Sequence, residues 1–317
     1  MWLARLVSPR KALVLCDRPM IAAGWATQKE RGNSVLVGIM ISVTLGLGWW
    51  AGRMLLLPIT VFFLASSRAA RVASRGFLTR ALGRPAGLFD VFRHFHCFAC
   101  VTLDRLFLLT NRLDLFDFSV EGIGALKHAL AQGRGCVLLG AHLGSFAALR
   151  AISSDCPARI RPMMYRANEA ALSQAIARLN LGLANDIIEI GGVAAMLEAR
   201  EAVARGEIVG LLADRAPGRQ KSIEVDFLAA AAGFPTGPIV LASMIGAPVF
   251  LFFAVRTGPR RYRVMVEPFA ETIALGQDSR AAEVRVWVER YAARLARHCR
   301  DYPFNWFNFY EFWAVSR

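Results

Sequence analysis

The stretch GCVLLGAHLGSFAALR (135–150) decides the reading of this chain. Its first half, GCVLLGAH, is a short apolar run bounded by glycines, which predicts a buried strand over 135–142. Its second half, LGSFAALR, predicts the start of a helix. A strand end that meets a helix start is where open α/β sheets place their sites. His142 stands at that point and can serve as a general base for a substrate hydroxyl. Helix-start amides beside it could take up developing negative charge.

The same alternation continues outward. ARIRPMMY (158–165), DIIEIG (186–191), EIVGLLAD (207–214), APVFLFFAVR (247–256) and RYRVMVEPF (261–269) read as strands. Between them, 167–180, 194–206 and part of 233–246 read as helices, the second stopped by Gly206. Residues 281–300 form an amphipathic helix, with Val284, Val288, Tyr291, Leu295 and Cys299 on one face. The predicted fold is α/β: a mixed, largely parallel sheet flanked by helices, with an N-terminal apolar helical membrane element.

Lys and Arg exceed Asp and Glu by 14, yet 55% of the residues are hydrophobic. A disordered basic tail lacks that apolar content, and a polytopic transporter would carry many long apolar runs. Here there is one, residues 35–65, whose single charge is Arg53. As one helix it would extend about 46 Å, beyond the ~30 Å hydrocarbon core. Gly46, Gly48 and Gly52 weaken its middle, and Pro58 would kink it. A tilted spanning helix over about 35–57 and a re-entrant or interfacial helical hairpin therefore compete, with a buried hairpin as a third option. Both flanks are basic, which suits an anionic leaflet and favours the hairpin over a single crossing. The chain divides into a basic segment (1–33), a membrane-associated helix or hairpin (34–66) and a catalytic domain (67–317). Residues 66–115 read as two helices broken at GRPAG (83–87).

Cys97 and Cys100 form a C-x-x-C, but no second pair follows at zinc spacing. His94 and His96 fall on different faces of a helix. No metal site is expected. The arginines are dispersed and no basic-aromatic motif appears, so nucleic acid is not an expected partner.

Five ordered blocks carry a resemblance. GAHLGSF (140–146), MYRANE (164–169), LLADRAPG (211–218), GFPTGPIVLASMIGAPVFLFFAVR (233–256) and YPFNWFNFYEFW (302–313) resemble those of the bacterial lipid A late acyltransferases. The resemblance spans nearly the whole chain and is nearest to the group associated with aryl polyene lipid assembly. It implies an inner-membrane acyltransferase with its catalytic domain facing the cytoplasm. The enzyme would move an acyl chain from acyl carrier protein or coenzyme A to a hydroxyl of a lipid or glycolipid acceptor, without a cofactor. His142 would be the catalytic base. Gly144 and Ser145 would line the substrate, with Gly144 permitting a tight turn beside the acyl carbonyl. Arg166, Asp214 and Arg215 would contact phosphate or the acceptor head group, or Asp214 would pair with Arg215. Ser145 as a nucleophile is not expected, because no G-x-S-x-G elbow is present. Basic surface would steer the anionic donors.

One position departs from the family pattern. Five residues after the histidine, where a carboxylate should orient the imidazole, stands Ala147. Losing the orienting acid costs about 10⁴ in turnover in serine proteases. Activity is then impaired unless another acid substitutes, with Asp155 and Asp214 the candidates by block order. The alternative is a degenerate homologue that binds lipid or scaffolds a complex.

Overall fold

The computed structural model describes residues 44, 46–152, 156, 158–164, 186–215, 221–276 and 278–313. The basic segment 1–33, the helix expected over 167–180, and Asp155, Tyr165 and Arg166 lie outside these.

Among the described residues, Thr44, Gly46 and Leu47 are helical, and after Gly48 come the helices α1 (Trp49–Ser66), α2 (Arg68–Leu82) and α3 (Leu88–Leu109). The break between α2 and α3 falls at GRPAG, with Gly83 left-handed at φ 65°. Asp90 then accepts the Gly87 amide at the start of α3 and pairs with Arg84. α1 begins after Gly48, at φ 88°, and runs on through Pro58. The helix therefore runs nine residues beyond the expected end at 57, and Pro58 does not end it, while most of 35–45 lies outside the described residues. It is long and apolar enough to cross a membrane.

Next come β1 (Asp117–Glu121), α4 (Ile123–Ala131), β2 (Cys136–Gly144), β3 (Ile160–Met164), β4 (Ile188–Glu189), α5 (Gly192–Ala204) and β5 (Ile208–Leu212). A hairpin of β6 (Ser222–Asp226) and β7 (Ala231–Pro235) precedes α6 (Gly237–Ile245), β8 (Val249–Gly258), β9 (Arg261–Ala270) and α7 (Arg280–Asp301). The main sheet has the order β1-β9-β8-β2-β5-β3-β4. Within it only β8 and β9 run antiparallel; every other neighbouring pair is parallel. The expected mixed, largely parallel sheet is what forms.

Central strands β2, β5 and β8 are apolar on both faces because helices cover both. One core contains Phe77, Leu139, Leu211, Tyr291, Leu295 and Trp306. The other, across the sheet, contains Trp49, Leu103, Leu138, Phe252 and Tyr262. α3 feeds both, with Val91 and Phe95 to the first and Leu103 and Phe107 to the second.

Two local expectations change. The strand expected to stop at His142 runs on to Gly144. The helix expected after it is a short 3-10 segment, Phe146–Ile152. The helix read within 233–246, with Pro near its start, forms from Gly237 with Pro238 in its first turn, and GFP before it closes β7.

Candidate active site

The site follows from strand register. β2 and β5 are parallel neighbours, with Gly140 opposite Leu212. Two residues beyond each of these stand His142 and Asp214, so the register brings imidazole and carboxylate together at the carboxyl end of the sheet. His142 Nδ1 lies 2.8 Å from Asp214 Oδ1. Asp214 Oδ2 accepts the His142 amide at 3.1 Å and the Trp306 indole N–H at 2.9 Å. An ionised carboxylate only accepts, so Nδ1 carries the proton and Nε2 keeps its lone pair.

The two members sit in different surroundings. The Asp214 side chain is fully buried and that of His142 is 36% exposed. Burial alone would raise the Asp214 pKa, but His142, Arg215 and the Trp306 N–H outweigh it and hold the acid well below the usual carboxylate range. For His142, burial and then Arg215 push the pKa below the ordinary 6.5, while Asp214 pushes back. A neutral, oriented imidazole with one free nitrogen is the state a general base needs at neutral pH.

Ala147 sits in the 3-10 segment and packs against the α3-side core. The acid supplied by β5 occupies the place beside the imidazole instead. Of the two acids raised from block order, Asp214 stands beside His142 and Asp155 lies outside the described residues.

Gly144 has φ 71°, and a Cβ there would collide with the Ala254 carbonyl oxygen on β8. Close strand approach therefore demands glycine here. Its amide donates to Asn305 O at 2.8 Å, and that of Ser145 to Ala254 O at 2.8 Å. With the His142 amide on Asp214, these three backbone donors are already engaged. The amides of His142, Gly144 and Ser145 are therefore not free to hold an oxyanion. Ser145 is buried, and its hydroxyl has no partner among the described residues.

Arg215 is mostly buried, donates to Phe307 O, and lies 5.6 Å from the Tyr310 ring. Its Nε stands 3.8 Å from Asp214 Oδ2. In this structure it braces the site rather than facing outward.

Sequence reasoning missed how the C-terminal aromatic block enters the site. Phe307 N donates to His142 O at 2.9 Å, Leu143 bridges Trp306, and Asn305 Oδ1 accepts the Arg256 amide. Trp306 is fully buried, against Phe77, Phe227 and Phe312. His94 Nε2–H donates to Trp306 O at 2.8 Å, and His94 Nδ1 meets Ser74 Oγ at 2.8 Å. Burial lowers the His94 pKa to about 4 and keeps it neutral. A signal existed: asparagines and a tryptophan inside an apolar C-terminal block need buried partners. Cys97 and Cys100 are buried free thiols, that of Cys97 donating to Asn305 Oδ1 at 3.9 Å, and no group of three metal-binding side chains occurs among the described residues.

The profile of the bacterial lipid A biosynthesis acyltransferases matches residues 108–313, more than half the chain. The chain belongs to that family. The matched span holds His142, Asp214, Arg215 and Trp306, while His94 and Ser74, which brace Trp306, precede it. No curated protein sequence matches the chain.

Proposed function

We propose that this family member is an active O-acyltransferase. It would transfer an acyl chain from acyl carrier protein or coenzyme A to a hydroxyl of a lipid or glycolipid. His142 Nε2 takes the hydroxyl proton as the oxygen attacks the thioester carbonyl. The C–S bond then breaks as the tetrahedral centre collapses, and the proton passes to the departing thiolate sulfur. Asp214 holds the imidazole tautomer and balances the imidazolium formed in between. The observation that carries this reading is the 2.8 Å His142–Asp214 contact, with the buried carboxylate fixed by two further N–H donors.

Arg166 and the Ser145 hydroxyl remain proposed substrate contacts, and Gly144 shapes the turn beside them. The likeness to the aryl-polyene-associated group makes a polyene chain one candidate donor acyl group. Location at the inner membrane, with the sheet in the cytoplasm, fits the apolar surface of α1. Trp50, Met54 and Phe62 are exposed there, continued by Leu88 and Phe89 at the start of α3.

The test is acyl transfer to a lipid hydroxyl by the purified chain beside Asp214→Asn and Ala147→Glu. Transfer by the parent, its loss in Asp214→Asn and no gain in Ala147→Glu are expected. An inactive parent revived by Ala147→Glu would overturn the assignment and favour a degenerate homologue.

A further inference from the structure

Arg53 is the single charge within residues 35–65, and such a charge is costly in an apolar helix unless something answers it. On α1 it stands one turn from Trp49, whose ring lies 5.3 Å from its Cζ. Arg256, at the far end of β8, approaches the same place. Its Nε is 3.8 Å from Asp104 Oδ2.

Asp104 cannot satisfy both. It is fully buried, and its oxygens already accept the Trp49 indole N–H at 2.7 Å and the Tyr262 hydroxyl at 2.8 Å. Nη1 of Arg53 and Nε and Nη2 of Arg256 are buried without a well-aligned hydrogen-bond partner among the described residues, with the Cys100 thiol beside Arg53 and the Cys97 thiol beside Arg256. His96, bonded to Thr60 through Nδ1, feels both guanidinium groups, which together with burial lower its pKa. Arg260 adds a third cation at the rim, 4.7 Å from the Trp49 ring and 5.6 Å from that of Trp50. Two guanidinium groups therefore share one carboxylate that already holds two donors, and with Arg260 beside them the cluster keeps an excess of positive charge next to the exposed face of α1, which suits an external anion.

The anion's character follows from the neighbouring surface. Trp50, Met54 and Leu57, on the same helix as Arg53, are 65%, 71% and 48% exposed. We infer that Arg53 and Arg256, with His96 and Arg260 beside them, form a binding site for the phosphate of a lipid head group. The lipid's chain would lie along the exposed face of α1. The site is separate from the His142–Asp214 pair, and the inference goes beyond the transfer reaction.

Binding of lysophosphatidate to the full chain in dodecyl maltoside tests it, against monoacylglycerol of the same chain length and against glycerol 3-phosphate. The chain should bind lysophosphatidate about tenfold or more tighter than monoacylglycerol, as expected for charge-assisted hydrogen bonds. Arg53→Gln and Arg256→Gln should each cut that preference severalfold, and Arg53→Lys should keep part of it. Exposed Arg261→Gln should leave it unchanged. A purely structural Arg53 would lower the melting temperature in Arg53→Gln and leave the lysophosphatidate preference unmoved, which overturns the site. Equal binding of the two lipids, or an unmoved preference in both glutamine variants, overturns the site. Glycerol 3-phosphate binding as tightly as the lysolipid overturns the lipid assignment. His142→Ala should bind like the parent, so a failure of the catalytic reading shows in turnover and not here.

Discussion

Two histidine–carboxylate pairs in this molecule have the same 2.8 Å contact and opposite polarity. In His142–Asp214 the acid is wholly buried and the imidazole reaches solvent. In His298–Glu267 the imidazole is 4% exposed, while the acid is 18% exposed and shared with Arg294 and Arg297. His298 spends Nε2 on the acid, and its Nδ1 is buried without a partner. A base must offer a lone pair to the substrate, and only the first pair does. Contact distance does not separate a chemical dyad from a structural one; which member is buried does.

The largest expected effect breaks this symmetry outright. His142→Ala should lower turnover about 10³–10⁴-fold, whereas His298→Gln should change it less than about threefold. The second variant should instead lower the melting temperature, by about 2–4 °C per kcal/mol lost. Asp214→Asn comes next, with a turnover loss of up to about 10⁴-fold at unchanged fold, against little for Glu267→Gln. Far-UV circular dichroism and initial rates measured side by side decide both comparisons.

Trp306→Phe keeps the aromatic packing and removes one N–H from Asp214. We expect turnover to fall about tenfold with KM nearly unchanged, as for one hydrogen bond to a charge. The pH profile sharpens the comparison further. As the proposed base, His142 would work unprotonated, and its pKa is held below 6.5, so kcat/KM should be flat near pH 7 and fall as pH drops through the lowered value. Arg215→Gln removes a cation that disfavours imidazolium, so this acid limb should move to higher pH. The smallest effect on rate is that of Ala147→Glu, which places a carboxylate against apolar packing and should cost stability without raising turnover.

Much of the fold is legible in the sequence. APVFLFFAVR and EIVGLLAD announce β8 and β5 because both faces are buried, and the 3.6-residue stripe of 281–300 announces α7. What escaped has weak patterning. β1 is DFSVE, an edge strand with no fully buried residue, and α4 after it has only nine residues. The β6–β7 hairpin turns through Leu228 and Ala229, both at positive φ, where no glycine marks the turn. His142 was legible from its strand. Asp214 was legible as a candidate but not as its partner, because strand adjacency is not written in local sequence. Only the order β8-β2-β5 places it there.

The strap formed by residues 305–307 has a consequence for the life of the chain before it folds. Synthesis runs from the N-terminus, so β2 and β5 leave the ribosome long before Trp306 and Phe307. Until those residues emerge, the His142 carbonyl lacks its amide donor and Asp214 lacks its indole. A nascent or prematurely terminated chain could thus assemble most of the sheet and still hold no poised base. Acyl chemistry would be withheld until translation has passed residue 307.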